Sequence, residues 1–231
     1  MKKITLILAA VLIILSIMAT AVFANSANPP SWRGDAGSTF QEWTFTNDYN
    51  DTNIAPDSGY INSYGIPSLS IVLGGEFAEG YIEGDFMPPE TGVWDLGING
   101  TMNISIPNSS NTSADSYKLI KVQVTYFDSS PLYAPSVFIN HNALLLDSGT
   151  TWVSNEQGFP GDWMSYWSEW QITPNPTNEE ITIMSSTSGS LIDQVVVDTK
   201  CVGTTVVPEP SSILALIAGI PGLLLLKRRK I

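Results

Sequence analysis

Short runs of apolar and polar side chains alternating with a period of two occupy most of the chain between residues 39 and 199, and Gly, Pro, Asn or Asp separates one run from the next. That period places successive side chains on opposite faces of a strand. Lys118–Phe127 is the clearest case, with Ile120, Val122, Val124 and Tyr126 on one face. The same reading predicts strands over Thr39–Phe45, Pro67–Leu73, Thr91–Leu96, Met102–Ile106, Ser136–Asn140 and Asn142–Asp147. It continues over Thr150–Ser154, Met164–Thr173, Glu180–Ser185 and Ser190–Thr199. Asn99-Gly100 has the sequence of a tight hairpin turn between its two flanking runs. No long 3.6-residue periodicity and no fixed repeat occurs, so the expected body is all-β, an antiparallel sandwich or barrel.

Both ends depart from this pattern. Met1-Lys2-Lys3, the apolar run Ile4–Met18 and the small residues to Val22-Phe23-Ala24 have the three parts of a signal peptide, 1–24, cleaved before Asn25. An uncleaved N-terminal anchor is the alternative, since the run is near spanning length. At the other end a linker, 204–207, leads to Pro208-Glu209-Pro210, which two proline rings hold extended. A 16-residue apolar stretch, Ser211–Leu226, follows, and as a helix it would extend roughly 24 Å. Lys227, Arg228, Arg229 and Lys230 then form a basic cluster that stops transfer on the cytoplasmic side. The expected organisation is therefore signal peptide, β-domain over 25–203, linker, and a C-terminal signal over 208–231 that contains a transmembrane helix.

Removing both ends sharpens the charge. The whole chain carries 10 basic and 22 acidic residues; the body keeps four of the former (Arg33, Lys118, Lys121, Lys200) and 21 of the latter, a net charge of −17. Such a body repels nucleic acid and anionic lipid and suits cations or neutral partners. Its one cysteine, Cys201, excludes an intramolecular disulfide and reads as a strand-end residue next to Val202.

The order Pro208-Glu209-Pro210, apolar helix, basic cluster resembles the PEP-CTERM sorting signal of Gram-negative bacteria. The resemblance implies that signal peptidase and an exosortase act on the chain during export. It implies transient residence in the inner membrane through the C-terminal helix, then the cell surface or extracellular matrix. An ordinary C-terminal membrane anchor is the alternative. Ser31-Trp32-Arg33-Gly34, Gln41–Phe45, Glu169–Ile172 and Leu191–Thr199 make the body similar to a group of PEP-CTERM proteins that end in an Ile-Asp-Gln-Val-Val-Val-Asp-Thr strand. More distantly, that last strand resembles galactose-binding-like jelly-roll modules, which implies a jelly-roll sandwich with a structural calcium and carbohydrate as ligand.

Candidate chemistry is sparse for an enzyme. His141, the single histidine, sits in a turn sequence, and no nucleophile elbow, zinc spacing or phosphate loop occurs. A catalytic carboxylate pair cannot be picked from so many acids, so the expectation is a protein that is not an enzyme. Trp152, Trp163, Tyr166, Trp167 and Trp170 cluster, and sugar C–H faces stack on exposed aromatic rings. Trp163 and Trp167, beside the turn at 158–162, are the expected carbohydrate contacts; Trp43, Trp94 and Trp170 fall in strand patterns and are expected in the core. For calcium, Glu42 with Asp193 or Asp198 would join an early strand to the last one; otherwise Asp193 hydrogen-bonds a neighbouring turn. Arg33-Gly34-Asp35 and the five Asn-x-Ser/Thr sequences are set aside as chance matches in turn-rich segments. The leading expectation is a non-catalytic matrix or surface protein associated with exopolysaccharide; the alternative is a carbohydrate-binding module with a calcium site.

Overall fold

A computed structural model describes residues 28–46, 53–57, 59–75, 78–84, 92–109, 113–129, 134–155 and 160–203. The expected signal peptide, and the sorting tail with Pro208, Glu209, Pro210 and the Lys227–Lys230 cluster, lie outside the described residues. Among those residues there are eleven strands and no α-helix. They are β1 (Ser38–Trp43), β2 (Ser68–Val72), β3 (Gly80–Glu83), β4 (Gly92–Asp95), β5 (Thr101–Pro107) and β6 (Tyr117–Asp128). Then follow β7 (Ser136–Ile139), β8 (Leu144–Asn155), β9 (Asp162–Ile172), β10 (Asn178–Met184) and β11 (Leu191–Val202).

Two antiparallel sheets share one core. The larger has the order β3-β4-β11-β6-β9-β8, with β1 also paired to β11; the smaller has the order β2-β5-β10-β7. β11 is the centre of the larger sheet. One of its edges meets β6 along almost its whole length, and the other is shared by β1, opposite Val195–Lys200, and β4, opposite Leu191–Ile192. Ile120, Val122, Val124 and Tyr126 of β6 join Val195 and Val197 of β11 and Trp43 of β1 on the inner face. Ile104 and Ile106 of β5 and Ile181 and Ile183 of β10 pack against them from the small sheet. The period-two pattern of β6 is the imprint of that contact.

Three sequence expectations change. Asn142–Asp147 and Thr150–Ser154 are not two strands but one, β8, continuous through Gly149 and bulged near Leu145/Asp147 and Trp152/Ser154. β3 is an additional strand: its four residues put Tyr81 and Ile82 side by side and give no alternation. Asn99 does turn the chain, with φ +59°, yet β4 and β5 do not form a hairpin; the turn carries the chain from one sheet to the other. Gly74 makes this crossing possible. A Cβ there would lie 2.3 Å from both the Gly100 nitrogen and the Ile98 carbonyl oxygen, closer than any side chain tolerates.

Candidate functional site

The aromatic cluster of β8 and β9 divides between the two faces of the large sheet, because neighbours along a strand alternate. Trp163 and Trp167 point outward, away from the core. Trp163 is 1% exposed, with its ring tilted against Phe127 at 5.3 Å between centroids. The exposure expected of Trp163 is therefore corrected: the Gly161 backbone lies against the Phe127 ring and closes this corner. Trp167 is half-buried. Its indole lies flat across Gly149 of β8, where an added Cβ would come within 2.9 Å of the ring. Lys121 sits 5.0 Å from the centre of the same ring and bonds Glu169 at 3.1 Å.

The proposed calcium ligands are also on β1 and β11, but they do not converge. Asp198 is fully buried and held by Arg33, whose Nε and Nη2 donate to its two oxygens at 2.5 and 2.7 Å. Burial pushes the Asp198 pKa up, and the bond to Arg33 and its charge oppose that shift. Glu42 lies opposite Val196, two positions along from the Phe40–Asp198 pair, and accepts a 2.6 Å hydrogen bond from Gln194 Nε2. Asp193 is buried where the β11–β6 register shifts. Among the described residues no three His, Cys, Asp or Glu side chains come together in a way that could hold a metal ion. Arg33 already occupies Asp198, one of the two alternative partners expected for Glu42. The Arg33-Gly34-Asp35 tripeptide is likewise tied down: Arg33 also stacks 4.3 Å from the Phe40 ring, and Asp35 pairs with Lys200 at 2.7 Å.

The inner face holds the more accessible aromatics. Six strands abreast in the large sheet face only four in the small one, so β8 and part of β9 extend past the cover. Trp152, opposite Met164, is 56% exposed there. Thr150, opposite Tyr166, is exposed too, while Tyr166, Met164 and Trp170 are partly buried along the rim of the core. Trp152 and Tyr166 are diagonal neighbours on one face, within reach of each other's ligand. Ser168 between Tyr166 and Trp170 accepts a 2.9 Å bond from the Trp170 indole nitrogen and fixes its orientation. Leu144, Leu145 and Leu146 are 44–63% exposed at the start of β8. The sequence reading had these rings in view as part of the cluster but took the buried Trp163 as accessible and passed over Trp152, while Trp167 is half-buried like Tyr166 and Trp170.

Elsewhere the expectations hold more simply. Trp43 and Trp94 are in the core and Trp170 packs against it. His141 occupies a turn with φ +59°. Cys201 is a free thiol near the end of β11 and is buried. No protein-family model matches the chain, and comparison with curated proteins found no match.

Proposed function

We propose that the chain is an exported, exosortase-sorted protein of the cell surface or extracellular matrix, non-catalytic and associated with exopolysaccharide. The observation that carries the polysaccharide part is the aromatic strip on the uncovered inner face of β8 and β9, with Trp152 at its exposed end. Flat rings on a rigid sheet stack against the C–H faces of sugars without reorganising. The charge favours a neutral glycan, since the four cations of the body are each paired with a carboxylate. Sorting rests on the Pro208-Glu209-Pro210 signal, the apolar run and the basic end.

The topology supports the jelly-roll part of the reading. β4 pairs with β11, β5 with β10 and β6 with β9, the nested pairing of an eight-strand ribbon wound on itself. β7 and β8 are consecutive, as the innermost pair would be, but β8 joins β9 rather than β7. That transfer is what leaves Trp152 uncovered. A carbohydrate-binding module is the second reading favoured by the same strip; its calcium site has no support in the placement of Glu42, Asp193 and Asp198.

Calorimetric titration of the exported protein with the neutral exopolysaccharide of its host tests the proposal. Trp152→Ala is expected to weaken binding by about 2 kcal/mol, roughly 30-fold in Kd. Trp167→Ala, on the other face, is expected to leave it unchanged. Absence of saturable binding by the unaltered protein removes the glycan role, and loss only in Trp167→Ala moves the site to the outer face.

A further inference from the structure

At the end of the core where β6 starts and β11 finishes, three reactive side chains meet out of contact with water. Lys118 of β6 and Glu179 of β10 are both 0% exposed, and Asn108, just after β5, is buried in contact with Lys118 and Cys201. Lys118 Nζ donates to Asn108 Oδ1 at 2.8 Å and lies 2.8 Å from Glu179 Oε1. The Glu179 carboxylate takes no well-aligned hydrogen bond, so its closeness to Lys118 is a contact of charge more than of direction. Two further donors converge on the same Asn108 oxygen: the Ser109 N–H at 2.8 Å and the Cys201 S–H at 2.9 Å. Asn108 Nδ2 points the other way, donating to Asn175 Oδ1 and the Pro176 carbonyl, each at 2.7 Å.

We propose that Lys118 and Asn108 are the two halves of an intramolecular amide cross-link that the folded protein forms itself, with Glu179 carrying the proton. The carboxamide is polarised by three donors on its oxygen, its nitrogen is turned away from the amine, and the amine is in contact with that oxygen. This is an oxyanion-stabilising arrangement around a carbonyl carbon with a nucleophile beside it. Burial raises the Glu179 pKa, with the Lys118 charge and hydrogen bond opposing, and transfer of one Nζ proton across the 2.8 Å contact to this carboxylate frees the lone pair of the amine. The lone pair of Nζ attacks Asn108 Cγ, and the carbonyl electron pair moves onto Oδ1, held by the Ser109 and Cys201 donors. Glu179 gives its proton to Nδ2 and takes one from Nζ. The carbonyl reforms, Nδ2 leaves as ammonia, and a secondary amide joins the two side chains. No oxidant or co-reactant enters the balance. The product removes a buried charge pair, which is costly to hold in a dry core. It also ties the large sheet to the small one in a chain with no disulfide.

Peptide mapping of the full-length chain, produced in an exporting host and digested with trypsin, tests this without depending on any glycan. Expected is a peptide spanning 34–121, uncut after Lys118 and lighter than its sequence mass by one ammonia, about 17 Da. In Glu179→Gln the carrier is lost and the shape kept, so cleavage after Lys118 and the full mass return. Lys118→Met must also restore the full mass, adjusted for the substitution. A folded unaltered protein that is cut after Lys118 and yields peptide 34–118 at full mass overturns the proposal. So does a loss that survives in Lys118→Met, which would place a succinimide at an asparagine instead.

Discussion

Arg33→Met tests how the segment ahead of β1 is held to β11. The substitution keeps most of the hydrocarbon over Phe40 and deletes the cation that lies 2.5 and 2.7 Å from the two oxygens of Asp198. Asp198 stays in a fully buried position, and a buried carboxylate stripped of its paired cation costs about 3–5 kcal/mol. Residues 28–37 lie at the surface and can lift to admit water, so the lower end of that range is expected. For a domain of this size each kcal/mol lowers Tm by roughly 2–4 °C, hence a fall of about 6–12 °C near neutral to alkaline pH. The pH dependence gives the mechanism its signature. Asp198 already has a folded-state pKa above the ordinary carboxylate value. Such a group binds more protons folded than unfolded, so its contribution to stability is full at low pH and declines as pH rises through the ordinary carboxylate pKa towards the folded one. Deleting the cation lifts the folded pKa further. The deficit of Arg33→Met is therefore largest at about pH 8 and shrinks towards about pH 5, where the buried carboxyl is more readily protonated. Circular dichroism melts at both pH values measure this, and Arg33→Met/Asp198→Asn, which removes both charges, should recover most of the loss. A deficit that is the same at both pH values, or absent at the higher one, refutes the assignment of the energy to the buried pair.

Gly149→Val puts a side chain where the Trp167 ring lies flat, with the first added carbon 2.9 Å from it. The ring must lift, at a cost of about 1–3 kcal/mol, and a red shift of tryptophan emission with a lowered Tm reports it; an unchanged spectrum shows that the ring is not seated on Gly149. Replacing Pro208, Glu209 and Pro210 together by alanine is expected to leave the protein in the membrane fraction of its host instead of the extracellular one. Equal release of the altered and unaltered chains rules out recognition at that signal.

Much of the fold is legible because one face of each long strand meets the core. Ile120, Val122, Val124 and Tyr126 alternate for that reason, and so do Val195 and Val197. β3 escaped because Gly80–Glu83 is too short to alternate, and Gly149 read as a break because a glycine inside a strand usually is one. Here it is the floor under Trp167. A period of two puts Trp163 and Trp167 on one face of β9 and Tyr166 and Trp170 on the other. It did not tell which face is uncovered, since that follows from six strands facing four, a property of the whole topology. Asp198 looked available because its partner, Arg33, is 165 residues away in sequence. The Lys118 cluster did leave a mark: Lys118 falls two positions before Ile120 and so on the apolar face of its own strand. A lysine in that register points into the core and demands a partner, which a closer reading of the alternation would have sought.

The four cations of the body show how an acidic domain without a disulfide holds its chain. Arg33 and Lys200 fasten the segment ahead of β1 to β11, through Asp198 and Asp35. Lys121 joins β6 to β9 through Glu169 and lies against Trp167. Lys118 alone crosses between the sheets, to Glu179. A surface pair contributes under about 1 kcal/mol, so Lys200–Asp35 acts chiefly in setting register, while Lys121 is buried but meets a solvent-exposed Glu169. The two buried pairs are different, because each leaves an uncompensated charge if it opens. They sit at β11 and beside it, the strand to which β1, β4 and β6 all attach. With β11 fixed along both edges, β8 at the margin needs no cover for the sheet to persist. Its bulges, Asp147 and Gly149 discourage pairing with another chain's edge. Its exposed Trp152 is therefore presented from a rigid base.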